Sequence, residues 1–203
     1  KDDGIICKIS DEHFIATTTT GGAATVLGCM EEYAQTEWPN LNVYMNSITE
    51  QYATFNISGP KTRNIIEKVF PEVNFSNEAF PFMTFQFHEY EDTPIRILRA
   101  SFTGEMGYEI YVPSNQALKI WEKIISFGKE FGLMPYGTET MHLLRAEKGY
   151  IIVGQDTDGS ITPLDLGLDW MIGKSKKDFL GKRSLIRSDT VRKDRKQLVG
   201  ILP

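Results

Sequence analysis

Glu109 stands in the run Tyr108-Glu109-Ile110-Tyr111, a carboxylate set among aromatic and aliphatic neighbours. Strand alternation places it on one face with Gly107 and Tyr111 and puts Tyr108 and Ile110 on the other. A carboxylate on a covered face needs a partner, because uncompensated burial of charge is costly. Two kinds of partner satisfy that need: an internal arginine such as Arg99, or a ligand that presents two adjacent N–H donors to the two oxygens. Pterin and guanine rings carry such an edge, a ring N–H beside an exocyclic amine. The residues before Glu109, from Arg99 to Gly107, read as a strand, a Thr-Gly-Glu-Met-Gly turn and a returning strand. Two glycines give that turn its backbone freedom.

A second chemically dense stretch runs from Pro135 to Gly149, followed by Val153-Gly154-Gln155-Asp156. Glu139 and Leu143, like Arg145 and Gly149, lie four apart and share a helical face. The charges there equally describe a solvated face. His13, His88 and His142 have no common spacing, and Cys7 and Cys29 have neither a C-x-x-C spacing nor nearby histidines, so neither a metal site nor a redox pair is expected. Two buried thiols in a reducing, cytoplasmic setting are expected instead. G-x-S-x-G, H-E-x-x-H, G-x-x-x-x-G-K-S/T and G-x-G-x-x-G are all missing, which removes several enzyme classes. No side chain is assigned a catalytic role.

The elements that must position these residues follow from periodicity. Strands are expected at 4–9 and 14–20 with Ser10-Asp11-Glu12 as their turn, then a helix at 22–35 ended by Trp38-Pro39-Asn40. Strands at 42–48 and 51–57 precede a short helix carrying Ile65, Ile66, Val69 and Phe70. A second round follows: strands at 84–90, 95–102 and 107–112, a helix at 115–127, a helix at 138–148 stopped by Gly149, and an apolar strand at 150–153. Short antiparallel strands covered by helices describe an α+β fold and argue against a doubly wound nucleotide fold. The division expected is a first layer over 1–77, a second over 78–173, and a basic connector over 174–203.

Composition is consistent with that picture. The 203 residues carry 22 Lys and Arg against 27 Asp and Glu, a net charge of −5, with 41% apolar and 24% charged residues, ordinary values for a globular domain. No apolar run approaches the ~20 residues of a membrane helix, so no membrane span is expected. Residues 174–196 hold ten of the basic residues against Asp178, Asp189 and Asp194. With only Phe179 interleaved, that stretch lacks the stacking platform of a single-strand nucleic-acid binder, and it reads as a connector or a surface covered by another subunit. The first residue is Lys1 rather than Met, which reads as an excised piece.

Several motifs together resemble the glycine-cleavage T-protein (aminomethyltransferase) family. They are the R-x-x-F-T-G-E-x-G-x-E-I hairpin, Phe80-Pro81-Phe82-Met83 before it, and the L-R-x-E-x-G and T-P-x-x-x-G runs at 144–149 and 162–167. FIATTTTG, NEAFPFMT, YGTETMHLLRAEKG, IVGQDTDG and RKQLVGILP are similar to one branch, the folate-binding part of the α subunit of heterotetrameric sarcosine oxidase. The resemblance implies two ferredoxin-like antiparallel sheet and helix layers, with a C-terminal β-barrel mostly missing. It implies tetrahydrofolate as cofactor and makes Glu109 the acceptor for the pterin ring. Phe102 stands where a folate-contacting Tyr is usual, Phe82 and Met83 line the same pocket, and Arg145 lies one turn after the family's pocket Arg, whose place Met141 takes. The family's amine-activating Asp is replaced by Ala24 or Thr25, and Ala cannot serve as a general base. The branch further implies β, γ and δ subunits as partners, FAD, FMN and NAD elsewhere in the complex, and capture of a one-carbon unit from oxidised sarcosine. A free-standing aminomethyltransferase and a non-catalytic folate-binding or assembly module are the alternatives.

Overall fold

The computed structural model describes residues 4–201. Its contacts divide the chain into two units between Tyr150 and Ile151. The first opens with an antiparallel pair, β1 (Ile6–Lys8) and β2 (Phe14–Ala16), followed by α1 (Ala23–Thr36). A four-stranded antiparallel sheet comes next, built from β3 (Tyr52–Ser58), β4 (Phe85–Tyr90), β5 (Thr93–Leu98) and β6 (Gly107–Pro113) in the order β3-β6-β5-β4. The remaining helices are α2 (Thr62–Val69), α3 (Ala117–Gly128) and α4 (Thr138–Glu147). The fold is α+β with two antiparallel sheets, as expected. The larger sheet takes β3 from before residue 77 and its other strands from after it, because β3 pairs with β6 along its whole length. The strands divided at 77 by the sequence reading therefore share one sheet.

Alternation along β6 decides what the sheet faces. Tyr108, Ile110 and Val112 are fully buried and join Ile57, Ile95 and Ile97 from neighbouring strands. Ile65, Ile66 and Val69 of α2 and Ile120 and Ile124 of α3 close this core from above. The rings of Phe75 and Phe80 stack at 5.7 Å, and both meet Tyr108 edge-on, the geometry aromatic quadrupoles favour. The opposite face carries Leu98, Glu109 and Tyr111 and is partly covered by the β1–β2 pair, through Cys7, Ile5, Ile9 and Ile15.

Three expected elements differ. The stretch 42–48 forms no strand, with Tyr44 92% exposed and Val43 54% exposed; an apolar run without a neighbouring strand has nothing to pair with. Residues 150–153 are likewise irregular. The strand expected at 95–102 ends at Leu98. Beyond it the Arg99 N–H donates to the Thr84 carbonyl and the Arg99 carbonyl accepts from the Met83 N–H. Arg99 thus bonds the 83–84 segment, and residues 99–106 form a wide loop instead of a tight hairpin turn. Gly107 ends that loop against the Ala100 carbonyl, which a Cβ would approach to 2.6 Å, so no larger residue fits without backbone movement. Helix α1 buries none of its residues and Cys29 is exposed, so only Cys7 fits the expectation of buried thiols.

The second unit has no strand among its described residues; two short turns of 3₁₀ helix, Asp169–Met171 and Lys182–Ile186, punctuate it. What organises it is Asp165, 3% exposed. One carboxylate oxygen accepts from Arg195 Nε at 2.8 Å, and the other from Arg195 Nη2 at 2.6 Å and from the Thr162 N–H and hydroxyl at 2.8 and 2.9 Å. Arg195 also donates to the Ser160 and Asp189 carbonyls, and the Leu198 N–H donates to the Asp165 carbonyl. Arg195 of the basic stretch is therefore an internal clasp and not part of a solvated surface.

The Arg195 guanidinium, aided by the Thr162 donors, holds the Asp165 carboxyl well below the usual carboxylate range. A depressed folded-state pKa contributes stability that is complete above the ordinary carboxyl value of about 4 and is lost as pH falls towards the depressed one. Hydrogen-exchange protection of the Leu198 amide should accordingly decline below about pH 4, and Asp165→Asn should remove it already at neutral pH. Protection indifferent to both changes would show that the clasp does not hold this segment.

Candidate functional site

Arg99 is engaged away from Glu109. Its Nη1 donates to the Phe80 carbonyl at 2.5 Å, and its guanidinium lies 6.0 Å from the centre of the Tyr108 ring. Together with its backbone bonds to Met83 and Thr84, this pins the 80–84 segment to the end of β5. Met83 adopts a left-handed backbone with φ 61°, a conformation a non-glycine residue keeps only where the surroundings enforce it. Phe82 and Met83 consequently stand 61% and 51% exposed.

Phe82 and Arg99 line a cleft of about 320 Å³ together with Ser101, Glu105, Gly107 and Tyr150. Arg145, 8% exposed, does not line the cleft; its Nη1 donates to the carbonyl of Tyr150, which does, at 3.0 Å. Lys148 pairs with Glu105 at 2.8 Å, and its stem lies against Gly104, so the end of α4 is fastened to the 99–106 loop. Of the expected site residues Phe82 alone lines this cleft, and Arg145 stands behind it, bonded to the Tyr150 carbonyl. Met83 flanks it, while Phe102, half-buried in the loop, and Glu109 do not line it.

Glu109 lies half-buried on the sheet face opposite the core, paired in register with Leu98 on one side and Asn56 on the other. The Tyr111 hydroxyl donates to one of its carboxylate oxygens. No lysine, arginine or histidine pairs with Glu109 among the described residues. Burial, then the charge of Glu109, pushes the Tyr111 hydroxyl far above its usual value, so it remains a donor. The same two causes in the same order push the Cys7 thiol up, which keeps it protonated and chemically quiet. Glu109 is therefore a partly exposed carboxylate, oriented by a neutral phenol, with acceptor capacity left on both oxygens.

Beside it, a groove of about 620 Å³ runs along the outer edge of β3. Asn56, Trp121, Ile125, Tyr136 and Met141 contribute to its walls. Tyr136 donates to Asn56 Oδ1 at 3.3 Å, linking the 131–137 segment to the strand next to Glu109. Sequence reasoning left out Tyr111 as a hydrogen-bond partner, although alternation already put it on the face of Glu109. Asn56 carries no local signal at all, since only the β3–β6 register reveals its place. Ala24 and Thr25 are exposed on α1. Among the described residues no group of three or more His, Cys, Asp or Glu side chains gathers to hold a metal ion, and no helix is long and apolar enough to cross a membrane.

Comparison with known proteins shows what the chain as a whole is similar to. The family described as GCVT N-terminal domain matches residues 1–176. The α subunit of sarcosine oxidase from Corynebacterium sp. (strain P-1) is 51% identical over 203 residues, covering 100% of this chain and 21% of that protein. An aminomethyltransferase from Halothermothrix orenii is 35% identical over 139 residues, 68% of this chain and 38% of the relative. Among solved structures, the glycine cleavage system aminomethyltransferase T from Bartonella henselae superposes with a TM-score of 0.65 at 23% identity, over 85% of this chain and 44% of that one. That last likeness concerns the fold alone. The chain spans about a fifth of the length of the sarcosine oxidase subunit it matches.

Proposed function

The chain belongs to the family of the GCVT N-terminal domain, and on that premise we propose that it is the tetrahydrofolate-binding part of a sarcosine oxidase α subunit. The observation that carries this reading is the state of Glu109: a half-buried carboxylate, oriented by Tyr111 and unclaimed by any cation among the described residues. Such a group fits the pterin edge, whose ring N–H and exocyclic amine match two carboxylate oxygens. The internal alternative, Arg99, is occupied at Phe80.

In this reading Glu109 holds and orients the ring. Phe102, Phe82, Met83 and Arg145 belong to the surroundings of the same ligand, the last acting through its hold on Tyr150. When bound, tetrahydrofolate supplies nucleophilic amines that take up a one-carbon unit as methylenetetrahydrofolate. The chain's own contribution is positional. Fixing those amines beside an imine or formaldehyde equivalent turns a bimolecular capture into an intramolecular one, where effective molarities reach ~10⁵ M or more. An electrophile of that kind needs no strong base, which is why Ala24 and Thr25 in place of an acid are compatible with capture. Sarcosine oxidation belongs to flavin and nicotinamide groups, FAD, FMN and NAD, held elsewhere in the complex, whose β, γ and δ subunits are the partners; a cytoplasmic setting fits two free cysteines.

The test is product partition in the complete oxidase. With saturating tetrahydrofolate, most of the carbon released from sarcosine should appear as methylenetetrahydrofolate, at the expense of free formaldehyde. A passive binding or assembly module would leave the formaldehyde yield unchanged. Turnover of a lipoyl-bound aminomethyl donor without flavin would instead establish the aminomethyltransferase reading.

A further inference from the structure

We propose that Asn56 is a second ligand-reading residue, donating to the ring carbonyl oxygen that adjoins the donor pair taken by Glu109; this rests on the folate reading of Glu109. Asn56 is the direct cross-strand partner of Glu109 on β3. Directly paired residues on one sheet face carry Cβ atoms about 4.5–5.5 Å apart, so the amide and the carboxylate stand side by side. Asn56 is exposed and lines the β3 groove.

Its amide is also fixed in direction. The Oδ1 accepts from the Ser58 hydroxyl at 2.5 Å and from the Tyr136 hydroxyl at 3.3 Å. Two donors on the oxygen leave the Nδ2 group as the free end, and it has no acceptor among the described residues. Glu109 and Asn56 together therefore offer acceptor, acceptor and donor along one line. A 4-oxopterin edge reads amine, ring N–H and carbonyl oxygen, the complementary order. A 4-aminopterin presents an amine where the carbonyl stood, and its N3 carries no hydrogen, so it opposes the Asn56 donor with a second donor and leaves Glu109 only the 2-amino group to accept from. Such a mismatch sets donor against donor and so discriminates between the two rings.

The test uses the complete protein and two probes, tetrahydrofolate and its 4-amino-4-deoxy analogue, with Kd measured for each. Asn56→Ala should weaken tetrahydrofolate by ~5–10-fold and leave the analogue nearly unchanged. Asn56→Asp keeps an oxygen for Ser58 and Tyr136 but turns the outward atom into an acceptor. It should move the ratio of the two Kd values towards the analogue by about tenfold or more relative to the parent. A purely structural role would shift both ligands together. If the ratio stays constant in both variants while Glu109→Gln weakens tetrahydrofolate, the Asn56 inference falls and the folate site stands. If Glu109→Gln leaves tetrahydrofolate affinity unchanged, the folate reading falls, and this inference with it.

Discussion

Glu109→Gln in the complete protein should raise the Kd for tetrahydrofolate by ~10–100-fold, the range expected when hydrogen bonds to a charged group are lost. Glutamine keeps the length and the volume of the side chain. It replaces one acceptor oxygen by an NH₂ group that points a donor at the donors of the ring. The Tyr111 hydroxyl, which donates to Glu109, can still donate to the amide oxygen, so the exchange concentrates its effect on the ligand side. Glu109 is half-exposed and lies outside the core beneath α2 and α3, which makes a thermal midpoint close to the parent's the matching control. Calorimetric titration of parent and variant decides the matter: equal affinities at equal stability would mean that this carboxylate does not face the pterin.

Phe80→Ala should be the most damaging single substitution for the scaffold, at about 3–5 kcal/mol. Phe80 is 0% exposed, stacks on Phe75, meets Tyr108 edge-on and lies near the His88 ring. Its backbone carbonyl receives the Arg99 guanidinium. Truncation would open a void within the core and loosen the segment that presents Phe82 and Met83, so the losses of stability and of cleft geometry should arrive together. Thermal unfolding of parent and variant should differ by roughly 6–20 °C, taking ~2–4 °C per kcal/mol for a chain of this size. A shift below about 2 °C would show that the surroundings collapse onto the void.

How far the sequence could be read depended on what each element needs for its definition. Helix α2 and strand β6 were legible because their own periodicity marks the buried side: Ile65, Ile66 and Val69, or Tyr108, Ile110 and Val112. Helix α3 was legible in extent only: Leu118, Trp121 and Ile125 look like its apolar side, whereas Ile120 and Ile124 are the buried ones. Pairing was not. The run at 42–48 looks like a strand by composition, and nothing local shows that no partner lies beside it. Arg99 looked like the last part of a strand and a possible mate for Glu109; its real bonds go to Phe80, Met83 and Thr84, some fifteen to twenty residues back along the chain. Glu109 itself was legible as a carboxylate in the wrong company. Asn56 became visible only once β3 and β6 were in register. Arg195, hidden in a basic stretch, shows the same limit: charge density describes a surface until one member finds Asp165.

The Arg195–Asp165 clasp joins residues thirty positions apart, and the stretch between them is largely exposed. After a single cut by trypsin in that stretch, among Lys174, Lys176, Lys177, Lys182 and Arg183, the piece that bears Arg195 would be held chiefly by its bonds to Asp165 and Ser160. Bonds of that number give millimolar affinity at best, so the tether between the two ends is the backbone itself, and a nicked chain would shed its tail on dilution.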